Sequence, residues 1–297
     1  MAVALFWAHV ALVVFSTAAM LTVLAGPPGP WVAREPHATV MRLGFRFAGP
    51  AYVTLGALAA FAFLWSRTGG RRAFAVAATV AMTALGAELV GTGTGLPFGD
   101  YRYSSLLGYR IFGQVPFPIP LSWFTMLVGA LAIVARLRPA ADDRATRWRW
   151  AVLAGLCLLA WDVAMDPAMV RTGHWAWGDG AMFRDAGLPG AVEAFFTQGV
   201  FYGMPLANWL GWLLTGTVVA RVMLAMLPPT RVASALAPSR FPVGLYVVNG
   251  VMPVALCLRD GLWWAAAGGA LAMGVPAALA LWRVPAAERA ALREQPA

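Results

Sequence analysis

Apolar residues run along this chain in eight long blocks, separated by short stretches that carry the arginines and by two longer ones rich in glycine, proline and aromatic side chains. A helix needs about 17 to 25 such residues to cross some 30 Å of hydrocarbon. The pattern predicts spans over 3–25, 45–66, 73–90, 119–135, 150–165, 205–227, 242–258 and 262–282. Only Arg259-Asp260-Gly261 separates the last two, and they contain Pro253 and Pro276, so seven spans or eight satisfy the pattern. The first block lacks a basic leader and is longer than the apolar region of a signal peptide, so it reads as a span. The expected fold is all-α: a polytopic membrane helix bundle of seven or eight transmembrane helices, one integral membrane domain over 1–297, with no internal repeat and no soluble domain.

Composition agrees with that pattern. The chain is 60% hydrophobic and 12% charged, with a mean hydropathy of +0.69, whereas soluble domains carry about a quarter charged residues. A soluble enzyme is excluded. All 22 basic residues are arginine; they are scattered between apolar blocks, unlike the clustered patch of a nucleic-acid binder. Counted by loop parity, the larger share falls on the side of both termini, which places both ends in the cytoplasm of a cell-membrane protein. Arg34, Arg42 and Arg46 in the first loop pull the other way. Cys157 and Cys257 lie in apolar runs and read as small buried hydrophobes.

The two long interruptions, 91–118 and 166–204, fall on one side of the membrane under this topology. Their glycine, proline and aromatic content predicts ordered interfacial loops. Beneath them lie the few ionisable groups inside spans, where a carboxylate costs roughly 2.5 to 3.5 kcal/mol at a helix centre. Glu88 ends the third span, and Asp162 and Asp166 end the fifth, one turn apart and on one helical face. Pro167 is expected to stop that helix directly after Asp166. Asn208 opens the sixth span at the same depth. Two carboxyls so close to hydrocarbon cannot both stay ionised cheaply, so one is expected to hold a proton and act as an acid. Glu88 or Asp100 would orient or deprotonate a water, with His174 as a further base. Trp123, Trp161, Trp175, Trp177, Tyr202 and Trp209, with Asn208, would line a substrate site, their π faces able to stabilise a cation by roughly 0.5 to 2 kcal/mol each.

Blander roles compete: a salt bridge or helix cap for the carboxyls, an interfacial belt for the tryptophans. His9 reads as a lone group on an apolar span and His37 as a residue of an exposed loop, neither of them a ligand, and no cluster has metal-ligand spacing. The run Gly91-Thr-Gly-Thr-Gly95 has neither the lysine nor the preceding strand of a phosphate loop, so close packing or a flexible exit is expected there.

At these residues the chain resembles the CruF-type carotenoid hydratases of bacterial carotenoid biosynthesis. The likeness runs from about 88 to 216. It rests on Glu88 with TGLPFGDYRY (94–103), VPFPIPLSW (115–123), Trp161-Asp162 with DPAMV (166–170), GHWAWG (173–178), YGMP (202–205) and NWLGW (208–212). The resemblance implies addition of water across the terminal C-1′,2′ double bond of an acyclic ψ end group, as in lycopene or γ-carotene, drawn from the bilayer and handled without a redox cofactor. Three other readings compete. A membrane prenyltransferase would use Asp162-x-x-x-Asp166 with a second acidic segment, for which Asp142-Asp143 is the nearest match. A lycopene-type cyclase would share the opening protonation. A lipid or proton transporter would also place carboxyls within spans.

Overall fold

A computed structural model describes residues 1–22, 29–184 and 186–283. Eight of its helices are long and apolar enough to cross a membrane: α1 (Ala2–Thr22), α2 (His37–Thr68), α3 (Gly70–Thr94), α4 (Pro118–Leu137), α5 (Arg144–Arg171), α8 (Leu206–Met226), α10 (Phe241–Arg259) and α11 (Trp263–Trp282). Shorter helices α6 (Ala181–Arg184), α7 (Gly190–Thr197) and α9 (Pro229–Leu236) fill the connections. The protein is an all-α polytopic bundle, and the eight-span count holds. The predicted end of the first span at 23–25, and Arg289 and Arg293 of the tail, lie outside the described residues.

Several helices overrun the lengths that hydropathy suggested. α2 begins at His37 rather than near residue 45, and α5 extends from Arg144 to Arg171. The larger correction is at Pro167, which does not end α5 but lies inside it. Proline removes one backbone donor; ending the helix among apolar neighbours would strand several groups, which is more costly where no water can satisfy them. Asp166 therefore stays in helical register with Asp162. Outside the apolar region, Asp143 caps α5, its Oδ1 accepting from Thr146 N at 2.8 Å, and Arg171 closes the last turn against the helix dipole.

The centre of the bundle is α4, an almost wholly buried helix, with α5 and α8 crossing beside it. Small residues permit these crossings. A Cβ on Gly155 of α5 would come within 2.7 Å of Thr217 Oγ1 on α8, and one on Gly129 of α4 within 2.6 Å of Tyr246 Cβ on α10. Such contacts replace the hydrophobic drive that lipid does not supply. Large apolar side chains, among them Phe15, Phe74, Met82, Leu214, Val218, Leu271 and Leu279, face outward, as lipid immersion requires. At the end of the bundle away from the long loops, buried Arg136 donates to the carbonyls of Ala237, Ala280 and Arg283, satisfying helix ends that have no further turn to bond.

The described residues of the two long loops are knit together. Strand β1 (Tyr101–Tyr103) of the first pairs antiparallel with β4 (Trp175–Trp177) of the second, while β2 (Arg110–Ile111) with β3 (Val115–Pro116), and β5 (Gly199–Phe201) with β6 (Met204–Pro205), form hairpins. The first loop starts later than expected because Gly91–Thr94 continue α3; Gly95, left-handed at φ 73°, caps it. Close packing explains the glycine run, since a Cβ on Gly91 would fall 2.8 Å from both Phe98 Cδ2 and the Tyr101 hydroxyl.

Candidate active site

Helices α3, α4, α5, α8 and α10 converge beneath the β1–β4 ladder and enclose a cavity. Glu88, Asp166, Asn208, Trp123, Trp161, Trp175 and Trp177 all line it, so most of the groups picked out in the sequence meet in one place. Alternation in β1 explains how the ladder serves it: Tyr101 and Tyr103 point one way and Arg102 the other. In the register Tyr101↔Trp177 and Tyr103↔Trp175, each tyrosine ring packs on the tryptophan opposite, at 5.6 and 5.7 Å between centroids.

Glu88 is buried and fully engaged. Its Oε2 accepts from the Tyr101 hydroxyl at 2.6 Å and the Tyr103 hydroxyl at 2.9 Å, and its Oε1 from Trp123 Nε1 at 2.9 Å. Burial, and then the negative charge of Glu88, hold both phenols well above their ordinary pKa, so they act as donors only. Across the cavity, Asn208 Nδ2 donates to Asp166 Oδ2 at 2.6 Å and to Asp162 Oδ2 at 3.0 Å. Asp162 sits one turn deeper and is completely buried; its Oδ1 has no partner among the described residues, and Asp166 is the member of the pair that borders the cavity. Among the described residues no arginine borders this cavity.

The remaining wall is aromatic. Trp212 stacks on Trp123, with centroids 4.4 Å apart and planes 18° apart, and meets Trp161 edge-on at 5.8 Å. Three of these groups were not singled out as site residues from the sequence. Trp212 lies one turn beyond Asn208, on the same helical face, and the alternation of Tyr-Arg-Tyr marks Tyr101 and Tyr103 as a pair; either pattern was available as a signal. Asn249 and Tyr52, which also line the cavity, carry no such signal.

Other expected members sit elsewhere. His174 borders a second cavity between α1 and α2, which among the described residues shares only Tyr52 with the first; its Nδ1 pairs with Thr172 Oγ1 at 2.8 Å, and burial lowers its pKa to about 4. Asp100 fastens the loops, its backbone oxygen accepting from Gly178 N at 2.7 Å while its carboxyl occupies the space a Cβ at 178 would need. Tyr202 lies at the tip of the β5–β6 turn and accepts from Trp264 N at 3.2 Å. Trp209 faces away from Asn208 and packs on Phe201 at 5.1 Å. Asp142 and Asp143, the second acidic segment of the prenyltransferase reading, lie roughly 30 Å away along α5, at 1.5 Å per residue. They accept from Thr230 and Thr146 there.

Over 148 residues the chain is 30% identical to a bisanhydrobacterioruberin hydratase of Haloarcula japonica, a match that takes in 50% of this chain and 43% of that relative. No solved structure matches the chain. The carotenoid biosynthesis protein family matches residues 48–276, reaching well beyond the sequence blocks around the cavity into α2, α10 and α11, and the chain belongs to that family.

Proposed function

We propose that this protein hydrates a carotenoid, adding water across the C-1′,2′ double bond of an acyclic ψ end group of the lycopene or γ-carotene type to give a tertiary 1′-hydroxy carotenoid. The observation that carries the reading is the carboxyl pair Asp162–Asp166, buried, sharing one amide donor, and set at the edge of an aromatic cavity. Two such carboxyls cannot both be ionised cheaply, so one keeps a proton, and Asp166, which borders the cavity, delivers it. The name of the Haloarcula japonica relative, a hydratase, supports the same chemistry.

The steps follow from the groups present. The alkene π electrons take the proton at C-2′, leaving a tertiary cation at C-1′. The faces of Trp123, Trp161, Trp175 and Trp212 stabilise that charge by roughly 0.5 to 2 kcal/mol each where water is excluded. Glu88 adds a counter-charge held in place by three neutral donors. A water oxygen then bonds to C-1′, and the proton it sheds returns to the carboxylate that gave the first. Oxidation states are unchanged overall, and every atom comes from substrate and water. The polyene enters from the surrounding lipid.

The test is expression in cells that accumulate lycopene or γ-carotene, with pigments resolved by mass. The wild-type chain is expected to yield a product heavier by one water, and Asp162→Asn and Asp166→Asn each to cut its formation by about 10²-fold or more. If both variants still hydrate at the wild-type rate, the acid assignment is overturned; a new pigment of unchanged mass would mean cyclisation instead.

A further inference from the structure

His9 is a completely buried histidine in the middle of an apolar helix, and the proton transfer above does not use it. Its Nδ1 lies 2.7 Å from the Tyr52 carbonyl oxygen. A carbonyl only accepts, so Nδ1 carries the hydrogen and Nε2 is left as an acceptor. Facing Nε2 at 3.3 Å is Asn249 Nδ2, which also donates to the Leu245 carbonyl at 2.8 Å. Both amide hydrogens of Asn249 are thereby used, and the flipped amide would set its oxygen against two acceptors. The side-chain oxygen is the atom left over. Asn249 lines the same cavity as Asp166, and among the described residues no donor reaches that oxygen. Trp161, whose Nε1 donates to the Asn249 backbone oxygen at 3.1 Å, ties this corner to the aromatic wall.

We infer that Asn249 is a further catalytic residue, its side-chain oxygen accepting a hydrogen from the water that attacks C-1′, and that His9 is the positioning residue that fixes the amide in this orientation. The inference rests on the hydration reading and adds a division of labour to it: the aspartate pair supplies the proton, and Asn249 aims the nucleophile. An acceptor there turns a water lone pair toward the cation. Without it the cation forms but collapses back by losing a proton from C-2′.

The experiment is run on full-length protein in membranes containing the polyene, in D₂O, scoring both hydrated product and deuterium at C-2′ of recovered substrate. For Asn249→Leu the expected result is loss of hydrate by about 10²-fold with deuterium exchange retained. Wild-type hydrate yield in that variant, or loss of exchange together with hydrate, overturns the inference. Because Asn249→Leu is open to a folding defect, His9 provides a second arm. His9→Leu is expected to lower turnover about tenfold at saturating polyene with KM within twofold, and His9→Gln, which offers a donor and an acceptor in the same order, to recover most of it. Equal loss in both His9 variants overturns the positioning role. If the wild-type chain shows neither hydrate nor exchange, the hydration reading itself fails, and that result is distinct from all of these.

Discussion

The chain carries two close aspartate pairs, and the bundle treats them in opposite ways. Asp142 and Asp143 sit in open water at the start of α5, where hydroxyl and backbone donors from Thr230 and Thr146 hold their carboxyls below the usual range. Asp162 and Asp166, near the other end of the same helix, are buried and divide one amide between them. The first pair ties down helix ends. The second has the arrangement of a proton store, because few donors serve it and solvent is excluded. Identical side chains thus differ in chemistry through their surroundings alone, and a motif of two acids reveals little until the depth of each is known.

Beyond the aspartate variants, the sharpest way to probe this contrast is to alter the third buried carboxyl. Glu88→Gln removes the counter-charge and sets an amide nitrogen against one of the three donors, and is expected to slow hydration by about 10²-fold, measured as hydrate formed per unit of membrane-inserted enzyme. A small effect would mean that the aromatic wall alone suffices. Asp143→Ala, at the solvent end, is expected to lower the melting temperature by a few degrees through loss of the α5 cap and to leave turnover unchanged. A turnover defect there would restore the prenyltransferase alternative.

The smallest effect belongs to His174. Its folded pKa of about 4 lies below the ordinary value near 6.5, so between those limits the unfolded chain binds more protons than the native one. Stability from this group is complete above about pH 6.5, falls as pH drops toward 4, and is expected to lose that slope in His174→Gln. Melting temperature against pH in detergent is the measurement.

How much of this was legible in the residue pattern depends on which force was in play. Span length and apolarity are summed over some twenty residues, so the eight helices, and the meeting of Glu88, Asp162, Asp166 and Asn208 at one end of the bundle, followed from the sequence. Pro167 misled because its local preference was read without the surrounding bundle, in which breaking the helix costs more than one missing bond. The departures of Trp209, Tyr202 and His174 from the cavity are matters of direction: each lies close in sequence to residues that enter it, but on another face or beyond a turn. Asn249 was unreadable because its importance comes from His9, some 240 positions away in the chain, and from the Leu245 carbonyl, neither of which any local pattern links to it.

The β1–β4 ladder has a consequence for how these loops tolerate changes in length. Since Tyr101 and Tyr103 reach Glu88 only through the two-residue alternation of an extended strand, inserting or deleting a single residue between them would put the two hydroxyls on opposite faces and leave Glu88 only one of them, whereas a change of two would keep the parity. The fold could survive either event, because the ladder is short and peripheral. Divergence in this stretch is therefore filtered by odd and even steps rather than by size, a constraint imposed by the chemistry below rather than by the stability of the bundle.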